Sequence, residues 1–196
     1  MLELILIRHG ETDGSQRKAF VGWTDLELTE VGTTQAYTIK EKLAHQIPDA
    51  IFSSPLKRTY RTAEIINKAY GLKIRTSESL KERDFGLWDN LTLADIKANH
   101  PVEAELWLKD PTCPIPGGEH LIQFHQRIIS FIDGIIQSCP NERILLVTHG
   151  GCIRTMITHL LGFKAEDCWR FKIDIGSIAK VEVDEGGYAY LTMLNG

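Results

Sequence analysis

Apolar residues along this chain come in two rhythms. Short unbroken apolar runs alternate with longer stretches in which apolar positions recur every third or fourth residue. The first pattern suits strands buried on both faces, the second amphipathic helices. Leu4–Ile7 reads as the first strand. A loop with Gly14, Gly22 and Gly32 follows, and Leu28-Thr29-Glu30 leads into a helix to His45, with Thr29 as its cap. Pro48–Ser53 reads as a second strand, and Pro55 suits the first turn of the next helix, which passes through Arg58 and Ile66 and stops at Gly71. Lys73–Thr76 is a short third strand.

The middle departs from this alternation. Glu82–Asp89 is a loop, Thr92–Leu108 is helical but interrupted at Pro101, and Asp110–Gly118, with three prolines and two glycines, is irregular. Residues 85–120 therefore read as a cap-like insertion over a sheet edge, where specificity is commonly set. In Glu119–Ser138, Ile122, Ile128, Ile129, Ile132, Ile135 and Ile136 fall at helical spacing. Arg143–Thr148 is a buried strand running into His149-Gly150-Gly151, and a helix follows to Leu161. Ile178–Val183 and Tyr188–Leu194 close the chain as a hairpin turned at Gly186-Gly187. The predicted fold is one domain over 1–196: a three-layer αβα sandwich with a mixed, mostly parallel sheet and a small helical cap.

Composition narrows the function. The chain has 196 residues, 43% hydrophobic and 24% charged, with a net charge of −4. No basic stripe suits nucleic acid, so an anionic ligand must be held by a local cluster of cations. Cys113, Cys139, Cys152 and Cys168 lack CxxC spacing and read as free thiols of a reducing compartment. No signal peptide is visible and no apolar run would span a bilayer, so the expected location is the cytoplasm, without a membrane partner.

The chemistry gathers at strand ends. Arg8 and His9 follow an apolar strand and precede Gly10; His149 follows another and precedes Gly150. In open α/β sheets, ligands bind at the carboxyl ends of the strands. A lone strand-end histidine most often satisfies loop carbonyls, but two in matching contexts beside an arginine point to a phosphate site. Ser53-Ser54-Pro55-Leu56-Lys57-Arg58-Thr59 adds Arg58 in the first turn of a helix, where anions collect. Glu82 sits in a loop with Phe85, Leu87 and Trp88, surroundings expected to raise a carboxyl pKa and make a proton donor. Trp88, Trp107, His120 and Phe124 are candidates to line the leaving-group region.

Five blocks then resemble the histidine phosphatase, or phosphoglycerate mutase-like, superfamily in order and over nearly the whole chain. They are Arg8-His9-Gly10-Glu11-Thr12; Gly22-Trp23-Thr24-Asp25 with Leu28-Thr29-Glu30-Val31-Gly32; Ser53-Ser54-Pro55-Leu56-Lys57-Arg58; Glu82-Arg83-Asp84-Phe85-Gly86; and Val147-Thr148-His149-Gly150-Gly151. The resemblance implies a phosphohistidine mechanism without cofactor or metal. His9 would be the nucleophile; Arg8, Arg58 and a protonated His149 would hold the phosphoryl oxygens; Glu82 would protonate the leaving group and then activate water. Ser15, Gly22 and Gly150 would join Arg8, Arg58 and His149 in contacting the substrate. The chain departs from the family pattern at Ser15, where many members have asparagine, at Asp89-Asn90 in place of Glu-Gly, and at His120 in place of serine.

The segment Cys168–Ser177 and the spacing of Pro116-Gly117-Gly118-Glu119 are similar to those of α-ribazole phosphatases of cobalamin biosynthesis. The implied partner is a small-molecule phosphate ester, α-ribazole 5′-phosphate first among them. Alternatives are a broad-specificity or phosphoserine phosphatase, a phosphoglycerate mutase, and, from another class, an inactive phosphoester-binding module. Dimers are frequent in the family, so a homodimer is the oligomer the resemblance suggests. Signatures of other phosphate chemistries, GxxxxGK[ST] and GxGxxG among them, are absent.

Overall fold

The computed structural model describes residues 1–196. Its centre is a six-stranded sheet. The chain forms β1 (Leu2–Arg8), α1 (Asp13–Gln16), β2 (Ala19–Phe20), α2 (Glu30–Lys42), β3 (Ala50–Ser53), α3 (Lys57–Asn67), β4 (Ile74–Thr76), β5 (Leu91–Thr92), α4 (Leu93–Asn99), α5 (Pro101–Lys109), α6 (Leu121–Ser138), β6 (Arg143–Thr148), α7 (Gly150–Leu160), β7 (Ile178–Val183) and β8 (Ala189–Met193). The sheet order is β4-β3-β6-β1-β7-β8. β4, β3, β6 and β1 run parallel, and β7 and β8 add antiparallel pairings at one edge.

Alternation along β1 builds the layers. Leu4 and Leu6 face one side, with Ile128, Ile132, Ile153 and Met156 of α6 and α7. Ile5 and Ile7 face the other, with Ile39, Ala63 and Ile66 of α2 and α3. Both faces are covered, which is why β1 and β6 read as continuous apolar runs. β1 pairs with β6 in the register Arg8↔Thr148, so the residues after each strand, His9 and His149, emerge side by side.

The segment between β4 and α6 has its own small core of Trp88, Ile96, Ala104 and Ile115. Pro101 opens α5 at its first helical position and so divides α4 from α5 without a buried loss. The β2–β5 ribbon pairs this segment with the loop after β1; neither that ribbon nor α1 is periodic enough to read from sequence. Thr29 caps α2 through the Gly32 N–H. Pro55 lies outside α3, which starts at Lys57 after an extended Leu56. The reason is tertiary: the first N–H of α3, from Lys57, donates to the Asp25 carboxylate of a distant loop (2.7 Å).

Gly10 and Gly32 let the loop after β1 lie directly on the start of α2. A Cβ on Gly32 would run into the Glu11 carbonyl oxygen and amide nitrogen, and one on Gly10 into the Gly32 carbonyl. Alanine is worth up to about 1 kcal/mol more than glycine within a helix. Gly32→Ala is nonetheless expected to lower stability by about 1–3 kcal/mol through backbone displacement. A urea melt whose midpoint is unchanged or raised would contradict this contact.

Candidate active site

The carboxyl ends of β1, β3 and β6 converge on one pocket floor. His9 is 6% exposed, His149 1% and Arg58 not at all. The two imidazoles meet edge to face with centroids 5.2 Å apart. His9 Nδ1 stands 2.7 Å from the Gly10 carbonyl oxygen. A carbonyl can only accept, so Nδ1 carries the proton and Nε2 keeps its lone pair. Ser54 Oγ lies 3.0 Å from His149 Nε2 and also accepts the Leu56 N–H. With Nε2 accepting the Ser54 hydroxyl hydrogen, the ring proton of His149 would sit on Nδ1.

The arginines are held by carbonyls. Arg8 Nη1 donates to Ile173 (2.6 Å); Arg58 Nη2 donates to Gly22 (2.6 Å) and Nη1 to Thr24 (2.9 Å). Arg8 Nε, Arg58 Nε and His149 Nδ1 are buried without a hydrogen-bond partner. Each such orphan costs about 1–3 kcal/mol unless something accepts from it. All three belong to residues gathered at and beyond the carboxyl ends of β1, β3 and β6.

Burial, with the charges of Arg58 and Arg8, pushes the His9 pKa well below the ordinary imidazole value. His149 is pushed down in the same way by burial, Arg58, His9, Arg8 and Arg127. A neutral His9 is what a nucleophile needs. The resemblance implies a protonated His149; burial first, then the charges of Arg58, His9, Arg8 and Arg127, work against that charge.

Glu82 occupies the wall. Its Oε1 accepts from the Arg83 N–H and its Oε2 from the Gly151 N–H, each at 3.0 Å. The carboxyl is thus held by backbone donors in a cavity also lined by Phe85 of its own loop. A Cβ on Gly151 would collide with Oε1, so this approach requires glycine. Gly150, at the first turn of α7, packs on the Arg8 guanidinium, with only 3.3 Å left for a Cβ.

Two expected substrate contacts are placed otherwise. Gly22 spends its N–H on the Asp89 carboxylate and its C=O on Arg58, so it supports the arginine rather than meeting a ligand. Ser15 faces the cavity, but its hydroxyl donates to the Thr12 carbonyl within a capping box, which closes the short helix α1. Trp88 is enclosed in the cap core, and His120 caps α6 through the Ile122 N–H, so neither lines the cavity.

Above His9 and Glu82 opens a cavity of about 460 Å³. Phe20, Phe85, Trp107, Phe124 and Trp169 give it aromatic walls, and Lys18, Arg83, His125 and Arg154 supply polar groups. Arg58 and His149 are not among its lining residues. Arg127, which sequence reading missed, ties the Glu82 loop together: it donates to the carbonyls of Ser79, Lys81 and Glu82 and pairs both Glu119 oxygens. Its one visible signal is a cation among the isoleucines of α6. All four cysteines are free; Cys152 is buried, and burial together with the charge of Glu82 raises its thiol pKa. No helix is long and apolar enough to cross a membrane.

The sequence model of the histidine phosphatase superfamily (branch 1) matches residues 4–196, and this chain belongs to that superfamily. It is accordingly a phosphoric monoester hydrolase. It is 30% identical to Phosphoserine phosphatase 1 of Hydrogenobacter thermophilus over 186 residues, 94% of this chain and 88% of that protein. The alpha-ribazole phosphatase of Shigella flexneri superposes with a TM-score of 0.93 at 28% identity, covering 99% of this chain and 96% of that one. A mycobacterial glucosyl-3-phosphoglycerate phosphatase in complex with VO3 gives 0.88 at 30% identity, covering 99% and 98%.

The depressed imidazoles set the sign of a pH effect. As pH falls below about 6.5, the unfolded chain takes up protons that folded His9 and His149 refuse. Stability is expected to fall by up to about 1.4 kcal/mol per pH unit for each group until its folded pKa is reached. Urea midpoints at pH 7.5 and 5.5 check this. His149→Gln should lose less than the parent over that interval; equal losses would refute buried neutral histidines.

Proposed function

We propose that this enzyme hydrolyses a small phosphate ester through a phosphohistidine formed on His9, with α-ribazole 5′-phosphate as the substrate. The observation that carries the mechanism is the tautomer of His9: with Nδ1–H spent on Gly10, a bare Nε2 stands among partnerless donors of Arg8, Arg58 and His149. Those donors would receive the equatorial oxygens of the phosphoryl group and offset its charge in the transition state. Nε2 attacks phosphorus, the bond from phosphorus to the leaving oxygen breaks, and the Glu82 carboxyl supplies the proton that oxygen takes. Water then attacks phosphorus while the Glu82 carboxylate accepts its proton. The P–N bond breaks, and orthophosphate departs. The Gly10 carbonyl stabilises the positive charge on the His9 ring while it is phosphorylated.

The choice of leaving group is supported by the aromatic walls of the cavity, which suit a flat heteroaromatic alcohol, and by the likeness of 168–177 to α-ribazole phosphatases. A second reading, phosphoserine, is favoured by Arg83, Arg154 and Lys18 in the same cavity, which suit a carboxylate. A mutase reading requires that the phosphoenzyme pass its phosphate to a second hydroxyl rather than to water.

The test is a phosphate-release screen of α-ribazole 5′-phosphate, phosphoserine and 3-phosphoglycerate, with and without a bisphosphate primer. The α-ribazole ester is expected to show the highest kcat/KM, independent of primer. A higher kcat/KM for phosphoserine would transfer the assignment to the second reading. His9→Ala should abolish turnover and acid-labile phosphate incorporation together. Glu82→Gln should slow an alkyl phosphate by about 10²–10⁴-fold and p-nitrophenyl phosphate far less, because nitrophenolate leaves without protonation. Equal slowing of both esters would remove Glu82 from the acid role.

A further inference from the structure

The completely buried Arg58 has no carboxylate in direct contact; its anchors are the carbonyls of Gly22 and Thr24. What holds those carbonyls is a single side chain from the cap. Asp89 Oδ1 accepts from the Gly22 N–H (2.8 Å), and Oδ2 accepts from the N–H groups of Trp23 (2.9 Å) and Thr24 (2.8 Å). The peptide between Gly22 and Trp23 is shared: its N–H points to Asp89 and its C=O receives Arg58. The charges of acid and arginine therefore polarise one peptide from opposite ends, which strengthens both bonds.

Asp89 is itself fixed by the fold. The β2–β5 ribbon pairs Phe20 with Leu91, and continuing that register sets Asp89 opposite Gly22. The preceding residue, Trp88, is enclosed in the cap core. The following one, Asn90, takes a positive φ of 61° and donates its N–H to the Phe20 carbonyl (2.7 Å). Asp25 completes the clasp from the same loop by accepting the Lys57 N–H next to Arg58. Burial lowers the pKa of Arg58, and the charges of Glu82, Asp89 and Asp25 oppose that loss.

We infer that Asp89 is a positioning residue for Arg58: its carboxylate fixes the 22–24 peptides, and those peptides aim the free Nε of the guanidinium at the phosphoryl site. This rests on the reading of Arg58 as a phosphate ligand. The cap thereby contributes to phosphate binding as well as to the leaving-group cavity, although no cap side chain has to touch the phosphate.

The experiment compares Asp89→Asn, Arg58→Ala and the double variant. It reads competitive inhibition by inorganic phosphate, kcat and KM for p-nitrophenyl phosphate, and the urea midpoint. Asparagine keeps the shape but removes one of the acceptor oxygens. Asp89→Asn is expected to weaken phosphate inhibition and to lower kcat/KM on the order of 10–100-fold. It should add little once Arg58 is gone, because the two residues act as one unit. Should the Asn variant fail to fold, Asp89→Glu, which keeps the charge and displaces it by a methylene, is judged by the same cycle. Unchanged inhibition in a folded Asp89 variant while Arg58→Ala weakens it would overturn the inference and leave the phosphate-site reading intact. Independent, multiplicative losses would also overturn it, by showing a merely structural role. Unchanged inhibition in Arg58→Ala would bring down the phosphate-site reading and the inference with it.

Discussion

A guanidinium with no exposed surface has given up its water and must be repaid by fixed acceptors. Arg58 finds them in two main-chain carbonyls, and the loop that supplies those carbonyls is clasped by Asp89 on one side and packed on α3 through Asp25 on the other. Carbonyl acceptors are partial charges, so they hold the side chain without neutralising it. A carboxylate in the same place would satisfy the arginine and compete with phosphate. Keeping acids one peptide away leaves the floor positive, and that charge adds to burial in pushing both imidazole pKa values down.

The floor is rigid for reasons of backbone geometry. β1 and β6 pair in register up to Arg8 and Thr148, so the spacing of the two histidines is set by the sheet and not by side-chain choice. Close backbone approaches at Gly10 and Gly32 set the loop after β1 on the start of α2, and Gly151 leaves room for the Glu82 carboxylate. Phosphoryl transfer gains mainly from such placement, since the protein need contribute only one covalent partner and a fixed field. Arg8 Nε, Arg58 Nε and His149 Nδ1, buried without partners, belong to the same floor.

The cap divides its labour. Trp88, Ile96, Ala104 and Ile115 make it self-supporting, Trp107 turns partly to the cavity, and Asp89 reaches across to the 22–24 loop. Arg127 does the corresponding work from α6, binding three carbonyls of the segment that ends in Glu82. A change in the cap can therefore alter both the cavity wall and the loop that holds Arg58.

The sequence alone determined the layers and the list of candidate reacting groups. Strands buried on both faces and helices with one apolar stripe leave periodic signatures, and Arg8, His9, Arg58, Glu82 and His149 stand in motif blocks whose order is readable. It did not determine who holds whom. Gly22 reads as a ligand contact, yet the fold uses it as a bracket for Arg58; Pro55 reads as a helix opener, yet Asp25 moves the start to Lys57. His149 reads as a cation, but its charge state depends on how much positive charge and how little water surround it, which no residue type encodes. Asp89 and Arg127 act through carbonyls and N–H groups far away in the chain. Every residue carries such groups, so only the tertiary structure could select which of them these two side chains would meet.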